Sequence, residues 1–144
     1  MTILDKILKL QPVFIDTAVF IYLLEDHPKF ASLIQPVFDA LSEKKLTAFS
    51  SIITVAEVLT KPMEKNNLEL INRYHEIFTQ LPNITIASPS YQTAMKAAEI
   101  RAYNKFGLLD SFQLAHAIEN KCKSFLTNDR QLEKFKKLKI ILLS

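Results

Sequence analysis

Glycine is almost missing from this chain. Gly107 is the single one in 144 residues. Phosphate-cradling loops and dinucleotide fingerprints need several glycines at fixed spacing, so both are excluded. Cysteine is as scarce: Cys122 alone can form no internal disulfide. His27, His75 and His116 lie far apart, and no Cys/His cluster has the spacing of a zinc site. These histidines read as ordinary surface or core contacts. No Ser or Cys has a convincing base partner for nucleophilic catalysis. No apolar run approaches the roughly 18–20 residues needed to span a bilayer. The start, "MTILDKILKLQP", alternates charge with Leu and Ile and lacks a signal-peptide core and cleavage site. A cytoplasmic protein with no membrane segment is the expectation.

What is present is apolar: 49% of the residues are hydrophobic, which argues against disorder. The length fits one domain, 1–144, with one sizeable core. Net charge is +3 but unevenly placed. Residues 121–144 hold seven Lys and Arg against two acids, a net +5, and the other 120 residues hold 11 against 13, a net −2. A basic tail beside an acidic body permits a polyanionic partner; a solvated lysine surface is the simpler alternative.

The apolar periodicity alternates between strand and helix. Strands are expected at 12–16, 46–50, 84–88, 124–127 and 139–143. Helices are expected over 17–25, 51–62, 70–81, 91–102 and 110–121, with a short one over 130–135. Phe30, Leu33, Ile34, Val37, Phe38 and Leu41 form a further helical stripe, in which Pro36 predicts a kink or two abutting helices. Ile3, Leu4, Ile7 and Leu8 fit a short amphipathic helix in an N-terminal extension, 1–12, packed on its own domain or on a partner. Short apolar strands alternating with helices predict an α/β fold with a parallel sheet covered on both faces.

Four acids share an address in that layout. Asp16 ends the first strand in "FIDTAVF", Glu57 lies about two turns into the helix after the second, Asp110 opens a late helix, and Asp129 follows the fourth strand. Ligands of open α/β sheets bind beyond the carboxyl ends of the strands. Carboxylates gathered there repel unless a cation neutralises them, and oxygen-only sites suit Mg²⁺ or Mn²⁺. With a basic surface nearby, the matching chemistry is metal-assisted phosphodiester hydrolysis. Each acid also has a plainer reading: Asp16 and Asp110 as helix caps, Glu57 as the i,i+4 partner of Lys61, Asp129 as an Asx turn. Asp39, in "VFDAL", faces away from its helix's apolar stripe and reads as solvent-exposed. Arg101 could meet a phosphate or brace an acid, the latter slightly favoured. Lys134, Lys136, Lys137 and Lys139 crowd the segment after Asp129 and are expected to border the same sheet edge, holding a nucleic-acid backbone.

From about residue 13 to 143 the order and spacing of "FIDT", "SIITVAEVLTKP", "AAEIRAYNKFGLLDSFQLAHAI" and "FLTND" resemble the PIN-domain family of nucleases. The resemblance implies a three-layer fold with a five-stranded parallel sheet flanked by helices, and a Mg²⁺ or Mn²⁺ site. It maps Asp16, Glu57 and Asp110 onto the family's three core acids and Asp129 onto a less regular fourth. Thr17, Ser51 and Thr127 fall on polar positions beside the site. The size is similar to the VapC group, which implies an endoribonuclease toxin of a type II toxin–antitoxin pair, with RNA as substrate, an antitoxin protein as partner, and a homodimer. Ala18 stands where the family often has Asn or Ser, and Gln113 where a His is common.

Other acid-bearing α/β proteins fit less well. A response-regulator receiver needs paired acids after strand one, and Asp16 stands alone. A haloacid-dehalogenase-type phosphatase needs a second Asp two residues on, where this chain has Ala18. A non-catalytic PIN-fold module binding RNA or protein is the remaining alternative; it would be expected to have lost an acid, and all four are here.

Overall fold

The computed structural model describes all residues, Met1–Ser144. Its elements run α1 (Ile3–Leu8), β1 (Val13–Ile15), α2 (Thr17–Leu24), α3 (Ala31–Ser42), β2 (Ala48–Ser51), α4 (Ile52–Glu64), α5 (Leu68–Gln80), β3 (Ile84–Ala87), α6 (Tyr91–Asn104), α7 (Leu108–Glu119), β4 (Ser124–Thr127), a 3₁₀ turn (Arg130–Lys134) and β5 (Lys139–Leu142). The five strands form one sheet in the order β3-β2-β1-β4-β5, and every adjacent pair is parallel. This is the expected fold class; β1, β3 and β5 are a residue or two shorter than expected, β4 is as expected, and β2 starts two residues later and ends one residue later.

Alternation along the strands sorts the core into two layers. Val13 and Ile15 of β1, Ala48 of β2, Leu126 of β4 and Ile141 of β5 join the larger cluster, with buried side chains from α1 to α5. Phe14, Phe49, Phe125 and Ile140, on the other face, pack with α6, α7 and the 3₁₀ segment. Phe14 stacks on Phe125 across neighbouring strands, with centroids 5.1 Å apart. Burying each such side chain contributes roughly 1.5–3 kcal/mol, which explains why strands of three or four residues suffice when both faces are covered.

The helices begin where polar caps permit. Asp16, Ser51, Asn67 and Ser90 each accept a bond from a backbone N–H of the first turn they precede. Ile7 of α1 is fully buried in the larger cluster, with Ile3, Leu4 and Leu8 against it, so this helix packs on its own domain. Two expectations need correction. Pro36 neither splits nor ends α3, which runs unbroken over Ala31–Ser42. Pro36 and Ser32, whose carbonyl loses its usual donor, are both exposed, so water can take the bond. Leu33, counted in the apolar stripe, is exposed on that same outer side.

Candidate active site at the carboxyl edge of the sheet

The chain leaves β1 towards β2 on one side, then returns from β3 to place β4 on the other side of β1. The carboxyl ends of β1 and β4 therefore form the point where strand order reverses, the usual binding crevice of such sheets. Asp16 sits there. Its backbone N–H donates to the Leu126 carbonyl at 3.0 Å, tying it to β4. Its Oδ1 accepts from the Thr17 N–H at 2.8 Å, and its Oδ2 accepts from the Thr127 hydroxyl at 2.7 Å. Asp16 thus caps α2 and has both oxygens fixed. Burial pushes its pKa up; the Thr127 and Thr17 bonds oppose this, and the charges of Glu57 and Asp129 add to the rise.

Asp129 lies two residues beyond Thr127, between β4 and the 3₁₀ turn. Its N–H donates to the Thr127 hydroxyl at 3.1 Å, and its Oδ1 accepts from the Gln131 N–H at 3.0 Å. The Asx-turn geometry is present as well as the proximity to Asp16. Thr127 is fully buried and links the two acids.

Glu57 arrives from α4. Its Oε1 accepts from the Thr17 hydroxyl at 2.7 Å; no ion pair with Lys61 forms. The Thr17 oxygen lies 2.8 Å from the Thr54 hydroxyl. Gln113 Nε2, from α7, donates to Thr54 at 2.8 Å and to Thr17 at 3.3 Å. Donation thus runs from Gln113 through the two hydroxyls to the Glu57 carboxylate, joining α7, α4 and α2. Thr54 and Gln113 were not expected to have such roles. The signal for Thr54 was its i,i+3 spacing to Glu57 on one face of α4; for Gln113 it was the one-turn spacing from Asp110 and a position where the resembled family commonly has a His.

Asp110 differs from the other three. It lies in the first turn of α7, which Gly107 precedes without any side-chain cap. Asp110 is not the helix cap, and its carboxyl group makes no hydrogen bond or ion pair with the protein. Burial, then the charges of Asp16, Asp129 and Glu57, push its pKa up to about 6. The structure therefore brings all four acids within electrostatic reach of one another.

Ser51 caps α4, accepting from the Ile53 N–H at 3.1 Å, and contacts no acid. The cations behave differently from expectation. Arg101 lines a shallow groove between α6 and α7 with Leu108 and Phe112 and pairs with no acid, so the bracing role is not seen. Lys136, Lys137 and Lys139 line a groove with Leu10, Cys122 and Lys123, at the amino ends of β1, β4 and β5. They do not border the acids. Lys134 lines the neighbouring groove with Lys136 and Lys137, its Nζ 5.0 Å from the Phe106 ring centroid. Arg130, overlooked in the sequence, is the cation nearest Asp129 along the chain, and its guanidinium donates to the Ser144 carbonyl at 3.3 Å.

As placed, no three His, Cys, Asp or Glu side chains form a ready-made cage for an ion. The donor set still fits Mg²⁺ or Mn²⁺: it is all oxygen, it repels itself, and Mg²⁺ keeps waters and takes only one or two carboxylates directly. No helix is long and apolar enough to cross a membrane.

Fold and site together define an α/β protein with a carboxylate cluster at the switch point of a parallel sheet. The PIN-domain family model matches residues 13–138, and the chain belongs to the PIN-domain family. No curated protein matches it. Solved structures share its fold. VapBC2 from Rickettsia felis, bound to a DNA fragment from its promoter, is 19% identical with a TM-score of 0.71, over 90% of this chain and 97% of that one. DNA-bound VapBC from Salmonella typhimurium is 20% identical with a TM-score of 0.71, over 92% and 98%. FitAcB from Neisseria gonorrhoeae is 22% identical with a TM-score of 0.69, over 91% and 97%.

Proposed function

We propose that this protein is a Mg²⁺- or Mn²⁺-dependent endoribonuclease that hydrolyses RNA phosphodiester bonds, and that it is the toxin of a toxin–antitoxin pair. The observation that carries the nuclease reading is Asp110: a half-buried carboxyl with no protein partner, whose burial, together with the charges of three other acids, raises its pKa to about 6. Such a group has no structural task and costs stability when ionised, as expected of a site that awaits a cation. The toxin reading is supported by near full-length likeness to VapBC and FitAcB structures.

Asp16, Asp110, Glu57 and Asp129 would hold the metal. The chemistry a divalent ion supplies in such a site is polarisation of the scissile phosphoryl group and activation of a water. The chain's own residues prepare the place. Thr127 and the Thr17 N–H lock both Asp16 oxygens. Gln113, Thr54 and Thr17 aim Glu57 through fixed hydroxyls. Asp110, whose pKa is pushed up to about 6 by burial and by the neighbouring acids, would give up its proton as a cation binds.

The test is RNA cleavage by the purified chain with Mg²⁺ or Mn²⁺, with EDTA, and by Asp110→Asn. Cleavage that needs the metal and is lost in the variant is expected. Cleavage indifferent to both, or none from the wild type on any RNA, would reject the nuclease reading and favour a non-catalytic module. Growth arrest on expression, relieved by a protein encoded next door, is the corresponding test of the toxin reading.

A further inference from the structure

The largest concentration of positive charge lies away from the acids. The groove at the amino ends of β4 and β5 has a volume of about 660 Å³ and is lined by Lys123, Lys136, Lys137 and Lys139, with Glu133 the one acid. It adjoins a second groove of about 420 Å³, between α6 and the segment following the 3₁₀ turn, lined by Lys134, Lys136, Lys137, Tyr103 and Glu99 among others. The two share Phe135, Lys136 and Lys137, so they lie side by side and together make one basic trough region.

Its lysines are mostly uncommitted. Only Lys137 lies within ion-pair reach of a carboxylate, 4.0 Å from Glu99, which also meets Lys96 at 3.8 Å. Lys136 spends one donor on the Glu133 carbonyl, 2.8 Å away. Lys123 and Lys139 have no side-chain partner. Five lysines face two glutamates, a local excess of three positive charges. Beside them Tyr103 is 84% exposed. Its ring stacks on no other aromatic side chain of the protein, and an unpaired base could stack on it. A charged trough that tracks a phosphate backbone, edged by an exposed aromatic, is the combination that binds single strands.

We propose that this trough is a second nucleic-acid-binding site, in which Lys123, Lys136, Lys137 and Lys139 hold the phosphates of a single-stranded RNA segment while Tyr103 stacks one of its bases. For the identity of the strand this rests on the ribonuclease reading. It makes the substrate an RNA long enough to engage the trough at the amino edge and the acids at the carboxyl edge. An acidic protein segment would use the lysines but gain little from Tyr103.

The experiment is fluorescence anisotropy of a labelled single-stranded 20-nucleotide RNA with the full chain, in EDTA to prevent cleavage, at several salt concentrations. Lys136→Ala/Lys137→Ala/Lys139→Ala should weaken binding and reduce the slope of log K against log[salt] by about 2, at about 0.7 per lost phosphate contact. Tyr103→Ala should weaken binding roughly fivefold or more and leave the slope unchanged. Asp16→Asn should not weaken it. Tyr103, Lys136, Lys137 and Lys139 are exposed, and circular dichroism checks that all the variants fold. Unchanged affinity and slope in the triple variant would overturn the proposal. So would an unaffected Tyr103→Ala combined with displacement of the RNA by an equally charged poly-glutamate, which would mark a protein dock. Because binding is read without metal, its failure leaves the cleavage test untouched, and failed cleavage leaves this one standing.

Discussion

The two ends of the sheet present opposite chemistry. At the carboxyl end, Asp16, Glu57, Asp110 and Asp129 cluster around buried hydroxyls and a buried amide, and three of the four have at least one oxygen held, Asp16 both. At the amino end, lysines line an open trough and few have partners. The first arrangement is rigid, and one of its groups has a perturbed pKa near neutrality. The second is adaptable and keeps its charges hydrated. Chemistry needs groups fixed to fractions of an ångström, whereas attraction of a polyanion needs only charge of the right sign at the right range. The difference separates a place for reaction from a place for holding.

The sharpest way to break this contrast is at Asp16. Asp16→Asn keeps the helix cap, since Asn caps as well as Asp, but removes charge where a cation would sit. Metal-dependent cleavage should fall at least ~10²-fold, about 2.7 kcal/mol in the barrier, while the thermal midpoint of the metal-free protein holds or rises. Undiminished turnover by the purified variant would take Asp16 out of the mechanism.

Thr17→Val tests the rigidity of the acid end. It preserves shape but strips Glu57 of its donor and leaves Thr54 and Gln113 facing a methyl group. Unpaired buried polar groups cost about 1–3 kcal/mol each. Urea denaturation should show a loss of about 1–2 kcal/mol, and cleavage should drop roughly tenfold if Glu57 then wanders. A variant as stable and as active as the wild type would make the hydroxyl relay incidental.

Asp110 offers a pH signature. An unfolded carboxyl ionises near pH 4, the folded one near pH 6. Between these values the folded state binds the extra proton, so stability falls as pH rises across the window and the loss persists above it. Thermal midpoints of the metal-free protein, compared with Asp110→Asn, should diverge from about pH 4 to about 6 in the variant's favour. Mg²⁺ should close the gap at pH 7, because a cation favours the ionised form. Parallel curves would show that Asp110 is not held neutral.

The smallest effect belongs to the other end. Lys136→Ala/Lys137→Ala should leave cleavage of a short oligonucleotide and the urea midpoint nearly unchanged, within about 0.5 kcal/mol. A large loss of turnover on a short substrate would instead place these lysines at the reacting phosphate.

Much of the fold and of the acid end was legible in the sequence. A run such as "PVFID" followed by "TAVFIYLL" announces a buried strand turning into a capped helix, and the junction is local, so Asp16 had to lie at a strand end. Asp110 at a helix start and Asp129 after "FLT" are equally local statements. Pro36 did not divide the stripe into two abutting helices, because the cost of a proline depends on whether the freed carbonyl meets water, and exposure is a tertiary property. The lysines misled for a different reason. Nearness in sequence to Asp129 was taken as nearness in space, yet a fifth parallel strand beginning at Lys139 obliges the chain to travel back to the amino edge first. The direction of β5 was the missing piece, and apolar periodicity does not carry it.

The sequence by itself therefore determined the elements, their two-faced burial and the strand-end position of the acids, because each follows from a period or a cap spanning a few residues. Only the tertiary structure decided that β4 lies beside β1 with β5 beyond it, which puts Thr127 against Asp16, sends Gln113 across to Thr54, and carries the lysines to the far edge. Strand order and direction are settled by how helices cover both faces of the sheet, an interaction among segments as far apart as Asp16 and Thr127, 111 residues, that no local pattern records.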